Sequence, residues 1–294
     1  MDAGSAADAV SAIETEVDEV LRRVTGPDRA GTRFAATRPG FVAALDPQAL
    51  VVLNLQSPEQ HLGPVLAASL RHDPARFRDH AVDYLRLRAV SRVAVPPFGG
   101  GVGLTDPLLG FAADDEAMIR YDAARSAPID AGSWTGDPDV PILQNLVHAV
   151  LTGEAPARDL PAENLPRATA ALVQALQAIL REDAPAFREA IRAFRSHARR
   201  SRWIRDRYKG LSDVPILILG LCAAALRRGL PLPDEVLSVG ERTYLDGLRT
   251  PLPPPRPRAY IGGAAVLNPL VTDPGIELPA LRQRLADAWA REPR

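Results

Sequence analysis

Val214-Pro215-Ile216-Leu217-Ile218-Leu219-Gly220-Leu221-Cys222-Ala223-Ala224-Ala225-Leu226 contains no charged residue. A helix that is apolar on every side has to be buried on every side, so its neighbours must wrap it. Those neighbours are legible upstream. Leu172, Val173, Leu176, Ile179 and Leu180 fall on one stripe of a 3.6-residue period. Asp183 then offers an N-cap oxygen, and Pro185 follows where a missing N–H costs nothing. Phe187, Ala190, Ile191, Phe194 and Ala198 carry the next stripe. The pattern predicts an all-α fold of antiparallel helical hairpins, an irregular bundle or a TPR-like array, packed around Val214–Leu226.

The same arrangement occurs earlier in the chain, displaced by 110 positions without a gap. Leu66 corresponds to Leu176, Asp73 to Asp183, Phe77-Arg78 to Phe187-Arg188, and Tyr84 to Phe194. A looser third copy runs through Phe111 to Met118, with Met118 in the place of the aromatic. Each copy pairs an apolar stripe with a tight turn, an aspartate cap and a large side chain that packs back. Repeats of this kind stack in solenoids, but no residue set recurs every 34 positions, which favours a bundle.

Around these copies the remaining elements fall into place. Val10, Ile13, Val17, Val20, Leu21 and Val24 predict a first amphipathic helix with an acidic outer face, stopped by Gly26-Pro27. Ala49 to Leu55 reads as a buried helix, since no partner strand lies nearby. Val95 to Pro107, with Gly99-Gly100-Gly101-Val102-Gly103, reads as a loop. It lacks the Lys-Ser/Thr of a P-loop and follows no strong strand. Ser126 to Pro141 is a second loop, Ile142 to Leu151 a short helix ended at Gly153, and Glu235 to Leu248 one further helix. Pro251 to Arg258 favours extended polyproline geometry across the surface. Ala280 to Ala290 closes the chain as a helix with Leu281, Leu285, Ala288 and Trp289 inward. The expected organisation is a helical domain over residues 1–250, with possible halves 1–153 and 167–250 joined by the proline-containing connector 155–166. Residues 251–294 would then pack on it.

Composition bounds the function more than it names it. At 294 residues the chain buries a substantial core, and an apolar fraction of 46% excludes disorder for most of it. A net charge of −1 offers no bulk attraction to nucleic acid or to anionic membrane. The single Cys222 sits in the apolar stretch, which excludes a disulfide framework and fits a reducing compartment. The acidic N-terminus has no signal-peptide pattern, and the longest apolar run, roughly 13 residues, falls short of the ~20 that span a bilayer. A cytoplasmic protein is expected.

Catalytic and metal motifs are missing from the sequence. His61, His72, His80, His148 and His197 form no HExxH or Cys/His cluster, and no serine lies in GxSxG. No cofactor is implied, and Asp114-Asp115 reads as a helix cap. What stands out is a basic segment from Arg188 to Lys209. Its connector, Arg199, Arg200, Arg202, Trp203, Arg205, Arg207 and Lys209, interleaves indole and guanidinium groups, the types enriched at protein-interface hot spots. Three readings are open for the segment: a protein-binding surface anchored by Trp203, a phosphate-backbone grip, or arginines that pair with acidic helices inside the fold.

The second half resembles the immunity protein 49 family of bacterial polymorphic toxin systems. The likeness rests on Leu172 to Asp183, Phe187 in the following helix, and Val214 to Leu226 with Arg227-Arg228-Gly229-Leu230 after it. It covers roughly Leu109 to Leu230. The glycine loop and proline-rich tail depart from it, and a Tyr-Leu-Pro that often follows the apolar helix has its nearest counterpart in Tyr244-Leu245-Asp246. The resemblance implies a non-enzymatic protein that binds and occludes a cognate toxin domain, and it carries over no catalytic residue. The alternatives are an enzyme or accessory protein of small-molecule metabolism with a site between hairpins, and a helical-repeat adaptor.

Overall fold

The computed structural model describes residues 11, 15, 34–55, 58–94, 105–130, 139–154, 165–198, 200–201, 215–250, 252–255, 257–260 and 262–291. Among these the fold is all-α, with no strand. In chain order the helices are α1 (Pro39–Ala43), α2 (Pro47–Asn54), α3 (Pro58–His72), α4 (Pro74–Val93), α5 (Thr105–Ala113), α6 (Glu116–Arg125), α7 (Asp139–Thr152), α8 (Arg167–Arg181), α9 (Ala184–Ala198), α10 (Ile216–Arg227), α11 (Val239–Gly247), α12 (Asn268–Thr272) and α13 (Pro274–Arg291). Short 3₁₀ turns occupy Asp234–Val236 and Gly262–Leu267. The predicted first helix and the glycine loop lie outside the described residues, apart from isolated positions of the former.

The chain divides into two compact units, and the division differs from the one expected at 155–166. One unit is Gly101–Pro254; the other joins Met1–Gly100 to Pro255–Arg294. The C-terminal segment therefore belongs with the first hundred residues. The connector 155–166 falls inside the Gly101–Pro254 unit.

In that unit α10 meets the sequence expectation. Every residue from Ile216 to Ala225 is buried. It packs on α5, α8 and α11. The crossing with α5 is close enough that a β-carbon on Gly220 would lie 2.3 Å from the Leu108 carbonyl oxygen. Glycine is required there because nothing larger lets the two backbones approach so far. α8 and α9 pack along each other, with Leu176, Ile179, Phe187, Ile191 and Phe194 closed off between them and their neighbours.

The turns before Asp183 and Asp115 share one construction, and the Asp73 turn, in the copy nearest the N-terminus, does not. Glu182 (φ 55°) and Asp114 (φ 51°) take the left-handed conformation that ends a helix. The next residue caps the following helix: Asp183 accepts from the Ala186 N–H at 3.0 Å, and Asp115 from the Met118 N–H at 3.4 Å. Asp73 stands at the N-cap position of α4 but makes no side-chain cap bond. Its carboxylate lies 3.8 Å from Arg76 Nε instead.

The other unit has a different centre. α4 is 20 residues long, and all of its residues from Ala81 to Leu87 are buried. It packs against α2, α3, α12 and α13. Three of α4's buried residues are charged, Arg78, Asp83 and Arg86. Burying charge is costly unless it is hydrogen-bonded. Asp83 accepts the Arg258 backbone N–H at 2.6 Å, and Arg86 donates to the Val271 and Thr272 carbonyls. At the rim of the unit Phe34, Phe41 and Trp289 meet edge to face, and the Arg38 guanidinium stacks 3.6 Å over the indole.

Boundaries differ from expectation: α5 and α7 start at Thr105 and Asp139, inside the stretches 95–107 and 126–141 read as loops. The helix expected over Glu235–Leu248 is broken at Leu237-Ser238, because Ser238 starts a capping box with Glu241. The last helix begins at Pro274 and runs through Pro279. Residues 262–272 are helical where no helix was expected.

Candidate partner-binding surface

The basic segment begins on α9, where the surroundings of its arginines are described. Phe187, Ala190, Ile191 and Phe194 turn into the core. That leaves Arg188, Arg192 and Arg195 on the outer side at helical spacing. All three are occupied. Arg188 Nε lies 3.6 Å and Arg192 Nη2 3.0 Å from Glu235 Oε1, and Arg192 also meets Glu189. Arg195 Nη2 reaches both carboxylate oxygens of Glu241 at 2.6 Å. On α9, pairing within the fold therefore accounts for the arginines.

The pairs differ in weight. Arg188, Arg192 and Glu235 are each about half exposed, and such pairs contribute ~0–1 kcal/mol. The Glu241 side chain is 3% exposed. Besides Arg195 it receives the Ser238 backbone N–H at 2.6 Å, so both oxygens are engaged. Glu235 and Glu241 were not identified as partners from the sequence. The signal was present in Ser238-x-x-Glu241, which marks a helix start and places that glutamate at the third position.

Of the connector, Arg200 is described. It is exposed in the turn after α9, where its N–H bonds to the His197 carbonyl at 3.1 Å. Arg199, Arg202, Trp203, Arg205, Arg207 and Lys209 lie outside the described residues.

Two other constellations invite a chemical reading. Ser126 Oγ lies 2.7 Å from His148 Nδ1, and Glu154 Oε2 lies 3.6 Å from Nε2. The serine hydroxyl also has the Ala123 carbonyl within reach at 3.0 Å, a bond within the end of its own helix, and it takes that acceptor in the tautomer that carries a proton on His148 Nδ1. Three positions before His148 on α7, Asn145 holds both the N–H and the carbonyl of Ile129, at 2.7 and 3.0 Å. Together these contacts fasten the chain leaving α6 onto α7. Cys222 is fully buried, and burial, with Glu241 nearby, pushes its thiol far above the ordinary value. A thiol held protonated is an inert core group.

The residues behind the family resemblance have structural duties. Arg227 bonds to Asp114 at 2.7 Å and to Glu116, tying the end of α10 to the α5–α6 turn. Gly229 takes φ 75°, as a helix terminator should. Tyr244 donates to the Ala112 carbonyl at the end of α5. Compared with protein-family models, with curated proteins and with solved structures, the chain matches none. No helix among the described residues is long and apolar enough to cross a membrane.

Proposed function

We propose that this chain is a protein-binding protein that neutralises a cognate toxin by covering its active surface. The observation that carries the reading is where the resemblance falls. The α8–α9 pair, the small-residue helix α10 and the Arg227-Arg228-Gly229-Leu230 ending belong to one packed unit, as in a self-contained binding module. Several polar side chains of that unit tie its elements together: Arg195 to Glu241, Arg227 to Asp114, Asn145 to Ile129. That leaves recognition to outward-facing groups. With α9's arginines paired, the binding surface in this reading is the connector Arg199, Arg200, Arg202, Trp203, Arg205, Arg207 and Lys209. Its positive charge would speed encounter with an acidic face, and Trp203 would anchor it.

The test is co-expression with the toxin encoded beside this gene, followed by purification of the complex. Protection from killing and a stoichiometric complex are expected. Arg202→Glu with Arg205→Glu should lose the complex while helicity and Tm stay near wild type. A toxin that kills equally well with and without this protein overturns the reading. A double variant that folds and still binds moves the interface elsewhere.

A further inference from the structure

Two tethers converge on the imidazole of His148. On one side Asn145 clamps Ile129, and the Ser126 N–H closes the last turn of α6 on the Asp122 carbonyl at 2.8 Å. These bonds hold the Ser126 hydroxyl 2.7 Å from His148 Nδ1. On the other side Gly153 takes φ 76° and turns the chain back at the end of α7. The Thr152 hydroxyl donates to the His148 carbonyl at 2.9 Å and accepts the Glu154 N–H at 3.3 Å. Glu154 Oε2 thereby comes to 3.6 Å from His148 Nε2. Hydroxyl and carboxylate address opposite nitrogens of one ring.

An ionised carboxylate only accepts hydrogen bonds. It favours the tautomer with the proton on Nε2, which leaves Nδ1 bare towards the hydroxyl. A hydroxyl, a base within hydrogen-bond reach and a third group orienting the base is the arrangement that activates a serine. The His148 side chain is 13% exposed, so its ring is largely shielded, whereas Ala127 and Pro128 beside the serine are exposed. We propose that Ser126 is a nucleophile that His148 activates, with Glu154 as a positioning residue, and that the site hydrolyses small acyl esters. Ser126 Oγ bonds to the acyl carbon while its proton passes to His148 Nδ1. The bond from that carbon to the alcohol oxygen breaks, and the alcohol leaves with the proton. Water then attacks the acyl-serine, giving a proton to Nδ1 that returns to Ser126 Oγ as the acid departs. The reaction uses none of the connector residues, so it stands or falls apart from toxin binding.

The test treats the full chain with a fluorophosphonate probe and maps the adduct by mass spectrometry. Ser126 should be labelled. Ser196, which is exposed and bonds to the carbonyl three residues back at 2.8 Å, is the comparison and should stay unlabelled. His148→Gln should slow labelling about a hundredfold, the low end of what a positioned base contributes. p-Nitrophenyl acetate should be hydrolysed faster by the wild type than by Ser126→Ala. At pH 8, with imidazoles neutral, ring nitrogen-15 shifts should report His148 with Nε2 protonated and Nδ1 bare. Glu154→Ala should move that population towards Nδ1–H while Tm stays near wild type. No adduct on Ser126, equal labelling of Ser196, undiminished labelling in a folded His148→Gln, a proton on Nδ1, or a tautomer indifferent to Glu154→Ala overturns the proposal. Should a variant not fold, the adduct and the tautomer of the wild type still decide.

Discussion

Gly220 and Leu108 sit where two helix backbones touch: a β-carbon on the glycine would lie 2.3 Å from the leucine's carbonyl oxygen and 2.6 Å from its Cβ. The obstacle is backbone as well as side chain, so rotamer adjustment cannot relieve it. Gly220→Ala should cost about 3 kcal/mol or more, the upper end of overpacking penalties. Gly247, with nothing within 4 Å of such a carbon, is the control. There alanine should be neutral or stabilising by up to ~1 kcal/mol. Urea unfolding of the two variants side by side checks both.

Glu241 is the buried acid that closes the Arg195 pair and the Ser238 cap together. Glu241→Ala should destabilise by about 2–4 kcal/mol, because it leaves a half-buried guanidinium unpaired and opens a capping box. Arg192→Ala, which removes an exposed partner of Glu235, should change stability by less than ~1 kcal/mol. Equal losses in thermal or chemical unfolding would show that exposure does not rank these pairs.

The two aspartates that correspond in sequence should part in energetics. Asp183 caps α9 through its side chain, whereas Asp73 makes no such bond. Asp183→Ala should cost about 1 kcal/mol. Asp73→Ala should cost a few tenths, in keeping with an exposed ion pair to Arg76. Chemical denaturation midpoints separate the outcomes.

Asp83 predicts an unusual pH dependence. Its carboxyl is raised to about 7 in the fold, chiefly by burial, and sits near 3.8 when the chain unfolds. Between those values the folded state keeps a proton that the unfolded state has lost. Stability from this group is therefore greatest below about 4, falls as pH rises towards 7, and stays low above it. The loss should be on the order of a few kcal/mol. Asp83→Asn should be more stable than wild type at pH 8 and close to it at pH 4–5. Unfolding free energies across pH 4 to 8 give the curve, and a wild-type curve rising towards pH 8 would contradict the assignment.

Much of the fold could be read before any coordinates. α10 was legible because an uncharged run has one way to avoid water, and the α8–α9 pair because its stripe, cap and aromatic follow the helical period. Asp114-Asp115 reads as a helix start for the same local reason: a short polar side chain just before a helix finds a free N–H. The α9 arginines show the limit. Periodicity places them on the outer face, but it does not say that Glu235 and Glu241 wait opposite, 43 and 46 positions away.

What the sequence by itself determined, then, is the set of helices whose burial is written in their own composition and the turns written in their own caps. Tertiary structure alone decided the grouping. Residues 255–294 return to the first hundred because α4 needs them. Its buried Asp83 and Arg86 take hydrogen bonds from beyond their own helix. The Arg258 N–H and the carbonyls of Val271 and Thr272 supply them from 175 to 186 positions on. A helix that buries charge looks like a surface helix in sequence, because the groups that satisfy it are backbone atoms, and backbone atoms leave no trace in the identity of the residues that provide them.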